Sequence, residues 1–369
     1  MSLPSPSRGE RIEAISLYQL RMPLVVPYVV SLGRFEHFEP LVASVRCTGG
    51  EVGWGEAVII AGYADETPEG GWDFCARTAD ELLGCDLDAA HAALTAQVAQ
   101  HSHAASVLLG ALDMLQAGAL LRIDEPVVFP LVCPVNGTER ASIAPEIEKR
   151  LKEGFRTFKV KVGFDVVEDL GRVRSIQDAL AGRGLIRLDA NQGFTVEQGR
   201  RFASELRPEN IELLEQPCDK HDWEGNGAVA AESAVPLMLD ESIYGLQDIT
   251  RAGGMRGVGF VKVKLKKFGS VAALREALEH IKSLGLEPVL GDGTATDISC
   301  WMEACVGSRT IRNASENNGF LKLRQTLLEP GLDFHDGSIH LPRGYWPHVS
   351  AERVQAHGVR AQHFTRSIQ

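Results

Sequence analysis

The chain has 369 residues, 44% hydrophobic and 24% charged, which is too long for one ordinary core and too apolar for a disordered chain. With 38 basic against 49 acidic residues the formal charge is −11, so no positive field is available to hold nucleic acid. The most apolar stretches, 20–32 and 126–135, are broken by Arg21, Pro23 and Pro27 and by Pro130 and Pro134, which argues against a membrane span.

The opening MSLPSPSRGERIEA has no apolar signal core. Seven cysteines (47, 75, 85, 133, 218, 300 and 305) form no CxxC pair, the usage expected of reduced, mostly buried thiols in a cytoplasmic protein. Residues 11–20 and 36–46 alternate as strands, and GGEVGWGEA (49–57) reads as a hairpin turn followed by a third strand. Between the first two lies 21–35, a Pro- and Gly-bearing stretch that reads as a loop with exposed apolar residues. Helical periodicity follows at 78–83, 87–100 and 104–121. This predicts a small sheet with helices on one side, an α+β domain over 1–128.

From residue 129 short apolar runs alternate with amphipathic helices. Strands are predicted at 129–135, 157–162, 185–189, 211–215, 237–240, 259–264, 287–291 and 310–313, each separated by a helical pattern. Strands apolar on both faces belong to a covered parallel sheet, and eight βα units over about 200 residues fit a (β/α)8 barrel. The barrel is placed at 129–330. The tail, 331–369, returns to short strands and is expected to rejoin the first domain.

The strand ends carry the chemistry. Lys161, Asp189, Glu215, Asp240 and Lys264 close five successive predicted strands at intervals of 24–28 residues, about one βα unit. Such spacing sets them at one height on the C-terminal mouth, where barrels of this kind keep their active sites. Any one acid after a strand is an ordinary helix cap. Three converging carboxylates repel one another and need a counter-charge. Their all-oxygen chemistry favours Mg2+, or Mn2+, over zinc. Lys159 shares a strand face with Lys161. Lys264 lies across the mouth, so two amines flank the ion from opposite sides. Read alone, KVKVG is a solvated edge strand and the run Lys262, Lys264, Lys266 and Lys267 a basic surface patch; beside the acidic triplet they belong to the site. Cationic neighbours would lower a lysine pKa towards the working range of a base. A metal-bound carboxylate has a weakly acidic α-proton, and the metal stabilises the enediolate formed when an amine removes it.

This pattern resembles the enolase superfamily, and within it the muconate-lactonizing-enzyme subgroup of the mandelate racemase/muconate lactonizing enzyme family. The resemblance is carried by FKVKVG (158–163), RLDANQG (187–193), LLEQP (213–217), MLDES (238–242) and VKVKLKKFG (261–269), and by the domain order. It implies an α/β fold, a modified (β/α)8 TIM barrel with an N-terminal α+β capping domain. It further implies that Asp189, Glu215 and Asp240 bind Mg2+, that Lys161 and Lys264 are the acid/base pair, that Lys159 supports Lys161 and the substrate carboxylate, and that Asn191 lies beside the substrate. The stretch 21–35 would close over the substrate, where Val26, Tyr28 and Val29 suggest a partly apolar ligand. Family members often form even-numbered homo-oligomers.

The chain departs from better-known members in two places. Ala295, in GDGTATD, stands where many members carry Glu, and ASENNGF (314–320) replaces an Asp-x-Asp found in dipeptide epimerases. Asp292, Asp297 and Glu316 are candidate partners for a substrate ammonium or hydroxyl, against the plainer reading of each as a helix cap or solvated loop residue. Cys218 reads as a packed thiol and His101 and His103 as surface residues. The expected activity is an isomerase, a racemase or epimerase of an amino-acid derivative or related small carboxylate. The same site serves a cycloisomerase or a dehydratase. A non-catalytic barrel or phosphate-sugar binder is the alternative from another class.

Overall fold

The computed structural model describes residues 9–30, 33–63, 65–116 and 118–366. Five strands open the chain: β1 (Ile12–Leu20), β2 (Met22–Val30), β3 (Gly33–Phe38), β4 (Pro40–Cys47) and β5 (Val52–Val58). Helices α1 (Pro68–Leu82), α2 (Leu87–Thr95) and α3 (Ser102–Leu115) follow. Strands and helices then alternate through β6 (Val127–Pro130), β7 (Cys133–Val135), α4 (Arg140–Lys152), β8 (Thr157–Lys161), α5 (Val166–Leu180), β9 (Leu185–Asp189), α6 (Val196–Glu205) and β10 (Ile211–Glu215). The alternation continues through α7 (Trp223–Glu232), β11 (Leu237–Leu239), α8 (Leu246–Gly253), β12 (Val258–Val263), α9 (Leu265–Phe268), α10 (Val271–Ser283), β13 (Glu287–Leu290) and α11 (Asp297–Gly307). The last elements are β14 (Leu328–Glu329), β15 (Asp333–His335), β16 (Ser338–Leu341), β17 (His348–Val349), α12 (Ala351–His357) and β18 (Gly358–Thr365).

The first sheet is antiparallel in the order β18-β1-β4-β5. Helix α3, buried along its whole length, lies on it. Glycines allow that contact: a Cβ on Gly53 would stand 2.0 Å from the Ala111 carbonyl oxygen, and one on Gly55 2.3 Å from that of Val107.

The second sheet is parallel, β13-β12-β11-β10-β9-β8-β7. Its register sets Lys161 beside Asp189 and Asp189 beside Glu215. Its strands are buried on both faces, which is why they read as continuous apolar runs. Ser315 closes the cylinder without a regular strand. Its N–H donates to the Pro130 carbonyl (2.8 Å), its carbonyl accepts from Val132 N–H (2.8 Å), and Glu316 N–H donates to Leu290 (2.8 Å). Buried Arg187 braces this seam by donating to Glu212 (2.6 Å) and to the Ala314 carbonyl (2.8 Å). The protein is thus a modified (β/α)8 barrel with an N-terminal α+β cap.

Several expectations are corrected. The stretch 21–35 is a two-stranded hairpin of β2 and β3, whose register shifts between Pro23 and Tyr28. Residues 31 and 32 of that stretch, the side chain of Val29 and residues 1–8 lie outside the described residues. The strand expected at 36–46 divides at Glu39, its first part pairing with β2 and its second with β1. The run 129–135 also divides: β6 pairs with β16, and β7 joins the barrel, separated at Pro130, which has no N–H to donate. No strand forms at 310–313, because closure falls to Ser315. Helix α1 begins ten residues before the expected start, at Pro68 after the Thr67 cap, while α2 and α3 end earlier than their periodicity suggested. His103 is buried, bonded to Glu66, and is not a surface residue. Among the described residues, no helix is long and apolar enough to cross a membrane.

Candidate active site

The strand register carries Lys161, Asp189 and Glu215 to the ends of adjacent strands β8, β9 and β10; Asp240 and Lys264 directly follow β11 and β12. Asp189, Glu215 and Asp240 are almost fully buried. Lys159 and Lys161 share a face, as do Lys262 and Lys264, because side chains two apart on a strand point the same way.

The paired ammonium groups knit the carboxylates together. Lys159 Nζ lies 2.8 Å from Asp189 Oδ2, 2.7 Å from Glu215 Oε2 and 2.8 Å from Glu316 Oε2. Lys262 Nζ lies 3.0 Å from Glu215 Oε1, 3.3 Å from Asp240 Oδ2 and 2.5 Å from Glu316 Oε2. The outer two lysines stand at opposite ends. Lys161 donates to Asp189 Oδ2 at 2.7 Å and to Asn191 Oδ1. Lys264 donates to Asp240 Oδ2 at 2.9 Å. Lys161 is the more open, with 28% of its side chain exposed against 7% for Lys264.

Electrostatics follow from burial and pairing. Burial raises the Glu215 pKa and the nearby Asp189 charge raises it further. Burial opposes ionisation of Asp189 as well, but the Lys159 and Lys161 ammoniums outweigh it and hold the group below its ordinary value. Burial lowers the Lys264 pKa, yet the Asp240 carboxylate more than offsets this and leaves it raised. Among the protein's own charges the Asp240 carboxylate is the nearest partner of Lys264, so the lowering expected from cationic neighbours rests on a bound Mg2+.

Asn191 has a positive φ of 43°, a conformation Asn tolerates better than most residues. Its backbone N–H donates to Asp189 Oδ1 (2.9 Å), and its side-chain amide donates to Tyr63 Oη (2.8 Å) and Glu241 Oε1 (2.9 Å). Asp292 is buried near the site but already partnered, with Lys266 Nζ 2.6 Å away. Asp297 is buried and both of its carboxylate oxygens accept from backbone, the N–H groups of Leu327 and Leu328, which is a structural task. Glu316 is no cap or solvated residue: it is buried between Lys159 and Lys262. Cys218 is a packed thiol whose pKa burial pushes up to about 11, and all seven cysteines are free.

Sequence reasoning missed Glu241 and Tyr63, and it placed Lys262 and Lys267 at the site without a role of their own. Lys267 donates to the Asp240 carbonyl at 2.6 Å and to Oδ1 at 2.8 Å. The Lys264 ammonium lies 5.4 Å from the Tyr63 ring centroid. A signal for Lys262 existed: the Lys-x-Lys of 159 and 161 recurs at 262 and 264.

The donor set fits a hard divalent cation. Glu215, Asp240 and Glu241 each bring one carboxylate oxygen within 4.8 Å of the others. Asp189 stands one step away, joined to Glu215 through Lys159. Buried Glu241 Oε2 has no hydrogen-bond partner, and Glu215 Oε2 accepts no well-directed bond although Lys159 is close. Orphaned buried carboxylate oxygens are costly unless a cation meets them.

Residues 142–345 match the family described as Enolase C-terminal domain-like. The chain belongs to the enolase superfamily. Within it, the chain falls in the mandelate racemase/muconate lactonizing enzyme group. It is 29% identical over 289 residues to an aromatic dipeptide epimerase of Herpetosiphon aurantiacus, covering 74% of this chain and 81% of that one. It is 23% identical over 305 residues to the N-succinyl-L-Arg/Lys racemase of Bacillus cereus, covering 78% of this chain and 82% of that protein. In structure it resembles a dipeptide epimerase from Cytophaga hutchinsonii, complexed with Mg and the dipeptide D-Ala-L-Val, with TM-score 0.86 and 21% identity over 96% of this chain and 99% of the other.

Proposed function

We propose that this isomerase is a Mg2+-dependent racemase or epimerase of an amino-acid derivative, moving the α-proton of a carboxylate substrate between Lys161 and Lys264. The observation that carries this reading is the placement of two amines at opposite ends of one carboxylate cluster, on Asp189 at 2.7 Å and on Asp240 at 2.9 Å. Inversion at carbon needs a proton taken from one face and returned to the other, and two opposed amines suit that task. The epimerase and racemase relatives support the substrate class.

Asp189, Glu215 and Asp240 would hold the ion, with Glu241 adjacent to them. When bound, the ion would neutralise charge on the substrate carboxylate and on the protein's own acids. Lys161 takes or gives the proton on one face, held by Asn191. Lys264 does so on the other, under the Tyr63 ring. Lys159 supports Lys161 and balances the carboxylates.

Solvent-deuterium exchange tests the reading. Wild-type enzyme with Mg2+ is expected to place deuterium in both epimers of a turned-over substrate. Lys161→Ala and Lys264→Ala are each expected to abolish epimerisation, with a loss of at least about 100-fold, and to leave exchange on one hand only. Turnover surviving in both variants would end the proposal. Label on one face alone in the wild type would favour a cycloisomerase or dehydratase using the same lysines.

A further inference from the structure

Lys262 and Glu316 form a pair that proton transfer between Lys161 and Lys264 does not use. Lys262 lies inside β12, two residues before Lys264 and on the same face of the strand. Glu316 follows the Ser315 seam and is fixed there by its N–H, which donates to the Leu290 carbonyl at 2.8 Å. Both side chains are buried, with Lys262 Nζ 2.5 Å from Glu316 Oε2. A buried ion pair rarely stabilises a fold more than well-packed apolar side chains of similar volume would. Stability of the core alone therefore does not account for this one, and what it touches does.

Lys262 bridges two acids of the ligand set, at 3.0 Å from Glu215 Oε1 and 3.3 Å from Asp240 Oδ2. Lys159 repeats the arrangement one strand along, at 2.8 Å from Asp189 Oδ2 and 2.7 Å from Glu215 Oε2. Two ammoniums thus hold three neighbouring carboxylates together by charge. The same two ammoniums stand within 3.3 Å of oxygens that a divalent cation needs. Like charges so close in a dry site repel strongly. Glu316 answers that repulsion. Among the described residues it is the carboxylate outside the ligand set that both ammoniums share, at 2.8 Å from Lys159 and 2.5 Å from Lys262.

We propose that Lys262 and Glu316 are a positioning pair that sets the affinity of the metal site. Lys262 holds Glu215 and Asp240 in place and opposes the ion. Glu316 offsets Lys262 and Lys159, so that the ion can bind beside them. The affinity for Mg2+ is thereby held below what the three acids alone would give. This rests on the reading that Asp189, Glu215 and Asp240 hold Mg2+.

The test is Mg2+ binding to the full-length, chelator-stripped protein, followed by titration calorimetry without substrate. Glu316→Gln leaves the two ammoniums short of a counter-charge and is expected to bind Mg2+ at least about tenfold more weakly than the wild type. Lys262→Met removes the opposing charge and is expected to bind it at least about tenfold more tightly. The double variant loses one charge of each sign and is expected to return to within about threefold of the wild type. Opposite signs in the two single variants are the signature, because a pair that merely packs the core would weaken binding in all three proteins. Lys262→Met binding no more tightly than the wild type overturns the assignment. Should Glu316→Gln fail to fold, as urea denaturation would show, Lys262→Met and the double variant decide by the same criteria. A wild type that binds no Mg2+ removes the metal reading and this inference with it, whereas wild-type binding that Lys262→Met leaves unchanged removes the inference alone.

Discussion

Asn191 shows how one residue is used by backbone and side chain together. Its left-handed φ of 43° lets its N–H reach Asp189 while its side-chain oxygen holds Lys161. Replacing it separates the two uses. Asn191→Gly keeps the backbone at little cost, whereas Asn191→Ala adds a left-handed penalty of about 1–2 kcal/mol. Both variants lose the support of Lys161 and are expected to lose about 10–100-fold in kcat/KM. Urea denaturation should show the alanine variant as the less stable; equal activity of the wild type and both variants would remove Asn191 from the site. At this scale the acids at 189, 215 and 240 were legible because each terminates an apolar run at a repeating interval. Glu316 was legible only as a candidate substrate partner; its ion pairs were not, since it follows no strand pattern and its lysine partners come from β8 and β12, more than 50 residues away in sequence.

Elements were legible where periodicity and burial agree, as in β8 to β10. They failed where a long-range pairing decides the structure. The hairpin of β2 and β3 carries two prolines and no clean alternation, and it is fixed to the barrel by Arg324 N–H donating to the Pro23 carbonyl at 3.0 Å and by a bridge between Leu24 and Leu323. The closing seam at Ser315 is too short to carry any period. Its stability depends on buried Arg187, whose main charged partner is Glu212 at 2.6 Å. Glu212→Ala leaves that guanidinium without its anion and is expected to cost about 3–5 kcal/mol of stability in urea denaturation. A loss under 1 kcal/mol would show that the Ala314 carbonyl at 2.8 Å and Asn313 Oδ1, which also accepts from Arg187 at 3.3 Å, satisfy the guanidinium without Glu212.

Across the whole molecule, cap and barrel meet at Glu56. This β5 residue is buried and accepts from Thr296 N–H at 2.9 Å and Ser299 N–H at 3.3 Å, at the start of α11. Burial raises its pKa from about 4.5 to about 7, with Asp292 adding to the shift. The folded state therefore retains a proton that the unfolded chain has released, so this group's contribution to stability falls as pH rises from about 4.5 through about 7, then levels. Glu303, raised to about 8 by burial, acts in the same direction. Glu56→Gln keeps the acceptor and removes one titration. Its stability is expected to fall less than that of the wild type between pH 5 and pH 8, by on the order of 2–3 kcal/mol, in urea denaturation at each pH. Parallel pH profiles would show that Glu56 ionises normally.

The pairing of β1 with β18 bears on how such a chain is made. Six consecutive registered pairs, from Ala14 with Thr365 to Gln19 with Arg360, and one more past a register shift, Leu20 with Gly358, join a strand synthesised before the barrel to one synthesised after it. On the ribosome, β1 has β4 beside it early, but its other edge stays bare until nearly all of the barrel has emerged. A bare edge of that length invites another chain to dock, so a nascent or prematurely stopped product carries an adhesive flank that the finished protein covers.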